Sequence, residues 1–222
     1  DRLLVGATEH PSVLAGGRFS ADRVQVIPVD GNGTVDQAAL ERLLAPDGGG
    51  NTLVSVMLAN NETGTIQPVK EIAAIAHAVG AVVHTDAVQA AGRIPVDIED
   101  LGVDVLTLSA HKIGGPQGAG AIVRRDEDLT FRSLLSGGGQ ERRLRAGTEN
   151  VAAIAGFGAA AKAAAADLPK THSWSVLRDR IAEIVLARCP QASIFSADVD
   201  RLPQTLCLAV HGIPAETLVI AL

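Results

Sequence analysis

Four clusters of polar residues in this chain stand where runs of apolar residues stop. VDVLTL runs into Ser109, His111 and Lys112, and then into the glycine-rich GGPQGAG. AVVHT runs into Asp86, with Gln89 three residues later. TLVSVMLA runs into Asn60, Asn61 and Glu62, followed by Gly64. Near the start, LLVGAT delivers Glu9 and His10. Hydroxyl, imidazole, amine, carboxylate and amide groups thus collect at strand-like ends, where open α/β sheets bind their ligands.

Taken singly, several of these residues have plain structural uses. Asp86 alone suits a helix N-cap, Asn61 a turn before Gly64, and Lys112 a surface loop. His84 sits inside an apolar strand and reads as packing. His77 reads as helix surface. His172, in a linker, and His211, in the turn HGIP, receive no role. Recurrence at successive strand ends weakens the plain uses of Asp86, Asn61 and Lys112.

A lysine beside a hydroxyl and glycine amides suggests phosphate. However, the GxxxxGK[ST] order is absent, because the lysine precedes the glycines. No GxGxxG follows a strand and opens a helix, and no CxxC pair or HExxH supports a metal. A Schiff-base lysine accounts for the set better. Pyridoxal phosphate needs a lysine for its aldehyde, an acid for its ring nitrogen and donors for its phosphate.

These groups require strands alternating with helices. VQVIPVD, TLVSVMLAN, AVVHTDAVQ, VDVLTLSA and GAGAIVRR read as strands. TVDQAALERLLA reads as a helix capped by Asp36, and PVKEIAAIAHAVG as one opened by Pro68 and closed by Gly80. The pattern predicts an α/β fold with a parallel or mixed sheet flanked by helices. A composition change near Asp167 divides the chain into a large domain, 1–166, and the start of a smaller α+β domain, 167–222. There LPKTHSW reads as a loop, SVLRDRIAEIVLARC as an amphipathic helix and TLCLAVHGI as a strand.

The net charge of -6 and the lack of a basic run argue against a nucleic-acid partner. Two cysteines are too few for a disulfide framework. The alanine-rich VAAIAGFGAAAKAAAA reads as too short and too weakly apolar to span a bilayer, so no membrane is expected. Without a signal-like segment, a cytoplasmic setting is expected. The chain starts at Asp1 and stops inside the helix-like ETLVIAL, so it is expected to be part of a longer protein.

TEHPSVL, ANNETGTIQPV, HTDAVQAAGRIPVD, LSAHKIGGPQGAG and GGGQERRLRAGTEN, in that order, closely resemble the cysteine desulfurases. The ANNETG form resembles the branch serving iron–sulfur cluster assembly and nitrogen fixation. The resemblance implies a fold-type I, class V aminotransferase-like enzyme using pyridoxal 5'-phosphate. Lys112 would bind the cofactor and move the Cα proton. Asp86 would pair with the ring nitrogen, Gln89 would donate to the phenolic oxygen, and His10 would stack on the ring. Asn61 would contact the phenolic oxygen and the substrate carboxylate. Ser109 and His111 would hold the phosphate. Thr148 would reach the phosphate of a partner subunit, which implies a homodimer with shared active sites.

The implied reaction converts L-cysteine to L-alanine and leaves sulfur as a persulfide, bound for an acceptor such as an iron–sulfur scaffold protein. The resemblance places the persulfide cysteine beyond Leu222. Neither Cys189 nor Cys207 matches it, and Cys207 reads as a buried small hydrophobe. The family's phosphate loop and substrate-binding arginine have no counterpart here, so this stretch alone is expected not to turn over. Two rivals remain open: a selenocysteine lyase or other class V enzyme, and a non-catalytic scaffold.

Overall fold

The computed structural model describes residues 1–45 and 51–221. Its main sheet, among the described residues, is six-stranded. It comprises β1 (Arg2–Gly6), β2 (Val24–Ile27), β3 (Thr52–Ser55), β4 (Val82–Asp86), β5 (Val105–Ser109) and β6 (Gly120–Arg124). The order is β2-β1-β3-β4-β5-β6. β1 to β5 are parallel, and β6 runs antiparallel to β5. The expected mixed α/β sheet is therefore present.

Parallel neighbours need crossovers, and the helices supply most of them. They are α1 (Pro11–Leu14), α2 (Gln37–Leu44), α3 (Val69–His77) and α4 (Ile98–Leu101). Asp36 caps α2 by accepting the Ala39 amide at 2.9 Å. Pro68 precedes α3, and Gly80 takes a left-handed φ of 77° just beyond its end. Leu4, Val54, Val83 and Leu106 of the sheet pack in one core with Leu40, Leu44, Ile72 and Ala76 of the helices. Full burial of each large aliphatic side chain contributes about 1.5–3 kcal/mol.

β3 is shorter than the run TLVSVMLAN suggested, because regular pairing stops at Ser55. The chain stays bonded to β4 all the same. Val56 donates to the His84 carbonyl at 3.1 Å, and Leu58 to the Asp86 carbonyl at 2.8 Å. The turn that follows is built by Asn60, whose Oδ1 accepts the Glu62 and Thr63 amides, each at 2.9 Å. Asn61 is not the turn-forming residue; its Nδ2 donates to Glu62 Oε1 at 2.8 Å.

After β6 the chain forms α5 (Val151–Asp167), a 3₁₀ turn (Leu168–Lys170) and α6 (His172–Arg188). The antiparallel pair β7 (Ala192–Ile194) and β8 (Leu208–Val210) and then α7 (Ala215–Ala221) complete it. Leu222, the last residue of ETLVIAL, lies outside the described residues.

Three expectations need correction. LPKTHSW is not a loop: Pro169 fits the first turn of the 3₁₀ segment, Thr171 donates back to Leu168, and His172 begins α6. His77 is not free helix surface, because Asp104 Oδ2 lies 2.8 Å from its Nε2. The alanine-rich helix is not too short to span a bilayer, since the helical run continues to Lys170. An 18-residue window within its 20 residues reaches a mean hydropathy of 1.4, so length and composition alone would permit crossing. α6 has no fully buried residue, and Val176, Leu177 and Ile181 are exposed.

Gly64 shows how tightly the ANNETG turn is docked. Its φ is 78°, and a Cβ there would lie 2.7 Å from the Thr205 Cβ. Its carbonyl accepts the Leu202 amide at 2.8 Å. Gly64→Ala combines left-handed strain with a clash, so it should lower unfolding free energy by roughly 2 kcal/mol or more, read by urea denaturation.

Candidate active site at the strand ends

The sheet order brings the four polar clusters to one edge, because β1, β3, β4 and β5 are consecutive neighbours running in one direction. Asp86 closes β4 in register with Thr107, two residues before Ser109 closes β5. The Val88 amide donates to Asp86 Oδ1 at 2.8 Å and fixes the carboxylate in the turn that also carries Gln89. Asp86 Oδ2 has no hydrogen-bond partner among the described residues.

On β5, Ser109 Oγ lies 2.8 Å from His111 Nδ1. Lys112 follows in a 3₁₀ turn (Ala110–Ile113); its side chain is exposed and makes no ion pair among the described residues. The glycines hold this turn in place. Gly115 donates to the Ala110 carbonyl at 2.9 Å, and a Cβ on Gly115 would lie 3.0 Å from that oxygen. α5 packs over the loop, and its Gly156 leaves room for Pro116: a Cβ there would lie 2.6 Å from the proline ring. Arg93 reaches the Lys112 carbonyl at 3.4 Å.

On the β1 side His10 is exposed, with Nδ1 held by Ser12 Oγ at 2.8 Å. Its neighbour Glu9 is only 4% exposed. Glu9 Oε1 accepts the Met57 amide across the β1–β3 boundary, and Oε2 is buried without a partner. Burial is the main reason that the Glu9 carboxyl is pushed up to about 8; the Met57 amide opposes the shift and the Asp86 charge adds to it.

Beneath Asp86 lies a row of side-chain bonds across three strands. His84 Nδ1 is 2.8 Å from Ser55 Oγ, and its Nε2 is 3.1 Å from Thr107 Oγ1. Burial holds the imidazole below its ordinary value, and the Asp86 charge works against that. His84 is therefore a hydrogen-bonded strut as well as packing.

Asp86, Gln89, Ser109, His111, Lys112, Asn61 and His10 all lie at this one edge. Thr148 does not join them by any hydrogen bond among the described residues; it is exposed on the loop leading into α5. Two participants were missed in the sequence. Glu9 stood next to His10 but was given no task, and His84 shares a strand face with Asp86 through period-two alternation.

The donor set fits pyridoxal phosphate: an acid with one free oxygen, an unpaired amine, an exposed imidazole, and a hydroxyl–imidazole pair. The comparisons with known proteins give the family. The sequence profile of the family described as Aminotransferase class-V matches residues 1–222. The chain belongs to the class V aminotransferase family.

Among its curated relatives, a cysteine desulfurase of Cereibacter sphaeroides is 43% identical over 99% of this chain and 56% of its own length. The cysteine desulfurase NifS of Azotobacter vinelandii is 38% identical over 99% of this chain and 55% of its own. The crystal structure of a NifS-like protein from Rickettsia africae superposes with a TM-score of 0.92 at 36% identity. That match covers 99% of this chain and 60% of that one. The fold is that of fold-type I class V enzymes, and the chain spans about 56% of the curated relatives' length.

His84 gives a testable pH dependence. Its ordinary value is 6.5 and the folded value is lower, so the unfolded chain takes up the proton first as pH falls. Its stabilising contribution is present at neutral pH and is lost as pH drops below about 6.5. The stability advantage of wild type over His84→Gln, measured by urea denaturation, should shrink from neutral toward acid pH.

Proposed function

We propose that the whole protein is a cysteine desulfurase using pyridoxal 5'-phosphate, and that the strand-end edge is its ring-binding site. The observation that carries this reading is that Asp86 at the end of β4 and Lys112 in the turn just after the neighbouring β5 stand at one sheet edge in a class V chain. When bound, the cofactor supplies an electron sink for the charge that develops at the substrate Cα.

The chain's residues do the rest. Lys112 provides the amine that holds the cofactor aldehyde and, once free, moves the Cα proton. Asp86 would hold the ring nitrogen with its carboxylate. Gln89 and Asn61 donate amide hydrogens to the phenolic oxygen, Asn61 also meeting the substrate carboxylate. His10 covers a ring face. Ser109 and His111 bind the phosphate, and Thr148 reaches the phosphate of a partner copy.

The substrate is L-cysteine. A cysteine thiolate would attack its sulfur; the S–S bond forms as the C–S bond breaks, the C–S electron pair stays with the carbon, which takes up a proton, and L-alanine leaves. The persulfide then passes to an acceptor such as an iron–sulfur scaffold or a thio-cofactor enzyme. Neither cysteine here is given the thiolate role. Burial pushes the Cys207 thiol up, with the Glu62 charge adding to the shift, and Cys189 ends α6. The shared site requires a homodimer. Exposed apolar residues on α5 support it, with Val151 71% and Ile154 45% exposed. A cytoplasmic setting belongs to the same reading.

The test adds pyridoxal phosphate to the purified protein, records the near-ultraviolet–visible spectrum, reduces with borohydride and maps the peptides. A pyridoxyl adduct on Lys112, absent in Lys112→Ala, is expected, as is an altered band in His10→Ala. A full-length protein with no adduct would defeat the cofactor assignment. Sulfide release from L-cysteine, against selenide release from selenocysteine, then decides the substrate.

A further inference from the structure

Glu9 is a buried acid at the strand ends that the proposed chemistry does not use. It lies in a loop tied twice to the exit of β3. The Asn60 amide Nδ2 donates to the Thr8 carbonyl at 2.9 Å, and the Met57 amide donates to Glu9 Oε1. The loop is tight from below as well: the Glu9 backbone amide donates to the Gly6 carbonyl at 3.2 Å, and a Cβ on Gly6 would lie 3.1 Å from Glu9 Oε1. The next residue is His10, which this folding brings to the exposed side of the site.

The surroundings suit an uncharged carboxyl. A buried carboxylate needs a cation or several donors, and Glu9 has one amide. No cation pairs with it among the described residues. From β4 the charge that acts on it is Asp86, and from the chain just beyond β3 the polar group facing it is the Met57 amide. Two acids whose environments differ this way divide the labour, one ionised and one protonated. Asp86 is half-buried with a free oxygen, whereas Glu9 is sealed with an unpartnered one.

We propose that Glu9 is a positioning residue that stays protonated: its neutral carboxyl clamps the His10 loop to β3, so that of the two acids only Asp86 presents charge to a cationic ring. The functional half of this inference rests on Asp86 being the ring-nitrogen partner; the charge partition itself does not need the cofactor.

The first test follows the Glu9 carboxyl carbon by NMR against pH in the cofactor-free protein. The midpoint should lie near 8 and fall in Asp86→Asn. An ordinary carboxylate midpoint, or one unmoved by Asp86→Asn, overturns the partition. Stability gives a second readout. Glu9 holds its proton more readily when folded, so its contribution is fully present below about pH 4.5 and is lost as pH rises through about 8. Glu9→Gln should remove that decline.

Pyridoxal phosphate titration is the third readout. Glu9→Gln keeps a neutral acceptor for the Met57 amide and should bind within about threefold of wild type, whereas Glu9→Ala should bind roughly tenfold more weakly. A tenfold loss in Glu9→Gln overturns the neutral clamp while leaving the cofactor assignment intact. A wild-type protein that takes no cofactor overturns the assignment and the functional half together, and the NMR titration still decides the partition. Should the alanine variant fail to fold, the glutamine variant and the titration decide alone.

Discussion

The parallel register of β1, β3, β4 and β5 is the constraint on which the site depends. Parallel strands exit at the same edge, so four separate stretches release their polar residues side by side. The hydrogen bonds from Val56 and Leu58 to the carbonyls of His84 and Asp86 carry that alignment past the end of regular β3. Without them the Asn60 turn and the Asp86 turn would be independent loops. With them, the two turns leave the sheet as neighbours.

The sheet also sets the polarity of the site in depth. Its core is aliphatic, and the first polar layer toward the exit is the Ser55–His84–Thr107 row. Asp86 follows two residues above His84 on the same face. Beneath a charged acid lies an imidazole that burial keeps uncharged, and beside it lies the buried Glu9. Buried polar groups in low dielectric must be satisfied or neutral. Asp86 is half-buried, whereas Glu9 is sealed.

Much of this edge was legible in the sequence because strand ends and glycine turns are local signals. Asp86, Lys112 and the Asp36 cap needed only a few neighbouring residues to be placed. What stayed hidden depends on contacts distant in sequence. Glu9 is buried because β1 lies between β2 and β3, which no local pattern reveals. His77 looked like surface because its partner, Asp104, comes from the start of β5, on the far side of β4. The length of β3 was overestimated because an apolar run cannot show where regular pairing ends and extended, bonded chain continues.

The glycine-rich loop after Lys112 follows from the same geometry. β6 must turn back antiparallel beside β5, yet the chain must first lift the Lys112 amine clear of the sheet. The 3₁₀ turn Ala110–Ile113 does the lifting, and Ala110 then donates to the Ala119 carbonyl, closing the loop at its base. Between those points Gly115 passes so close to Ala110 and to Ala160 of α5 that a side chain would crowd them. A Cβ on Gly120 would lie 2.8 Å from the Leu108 carbonyl oxygen, and Pro116 is seated against Gly156. Gly115, Gly120 and Gly156 thus allow the close packing that seats the loop carrying Lys112 beside the end of β5.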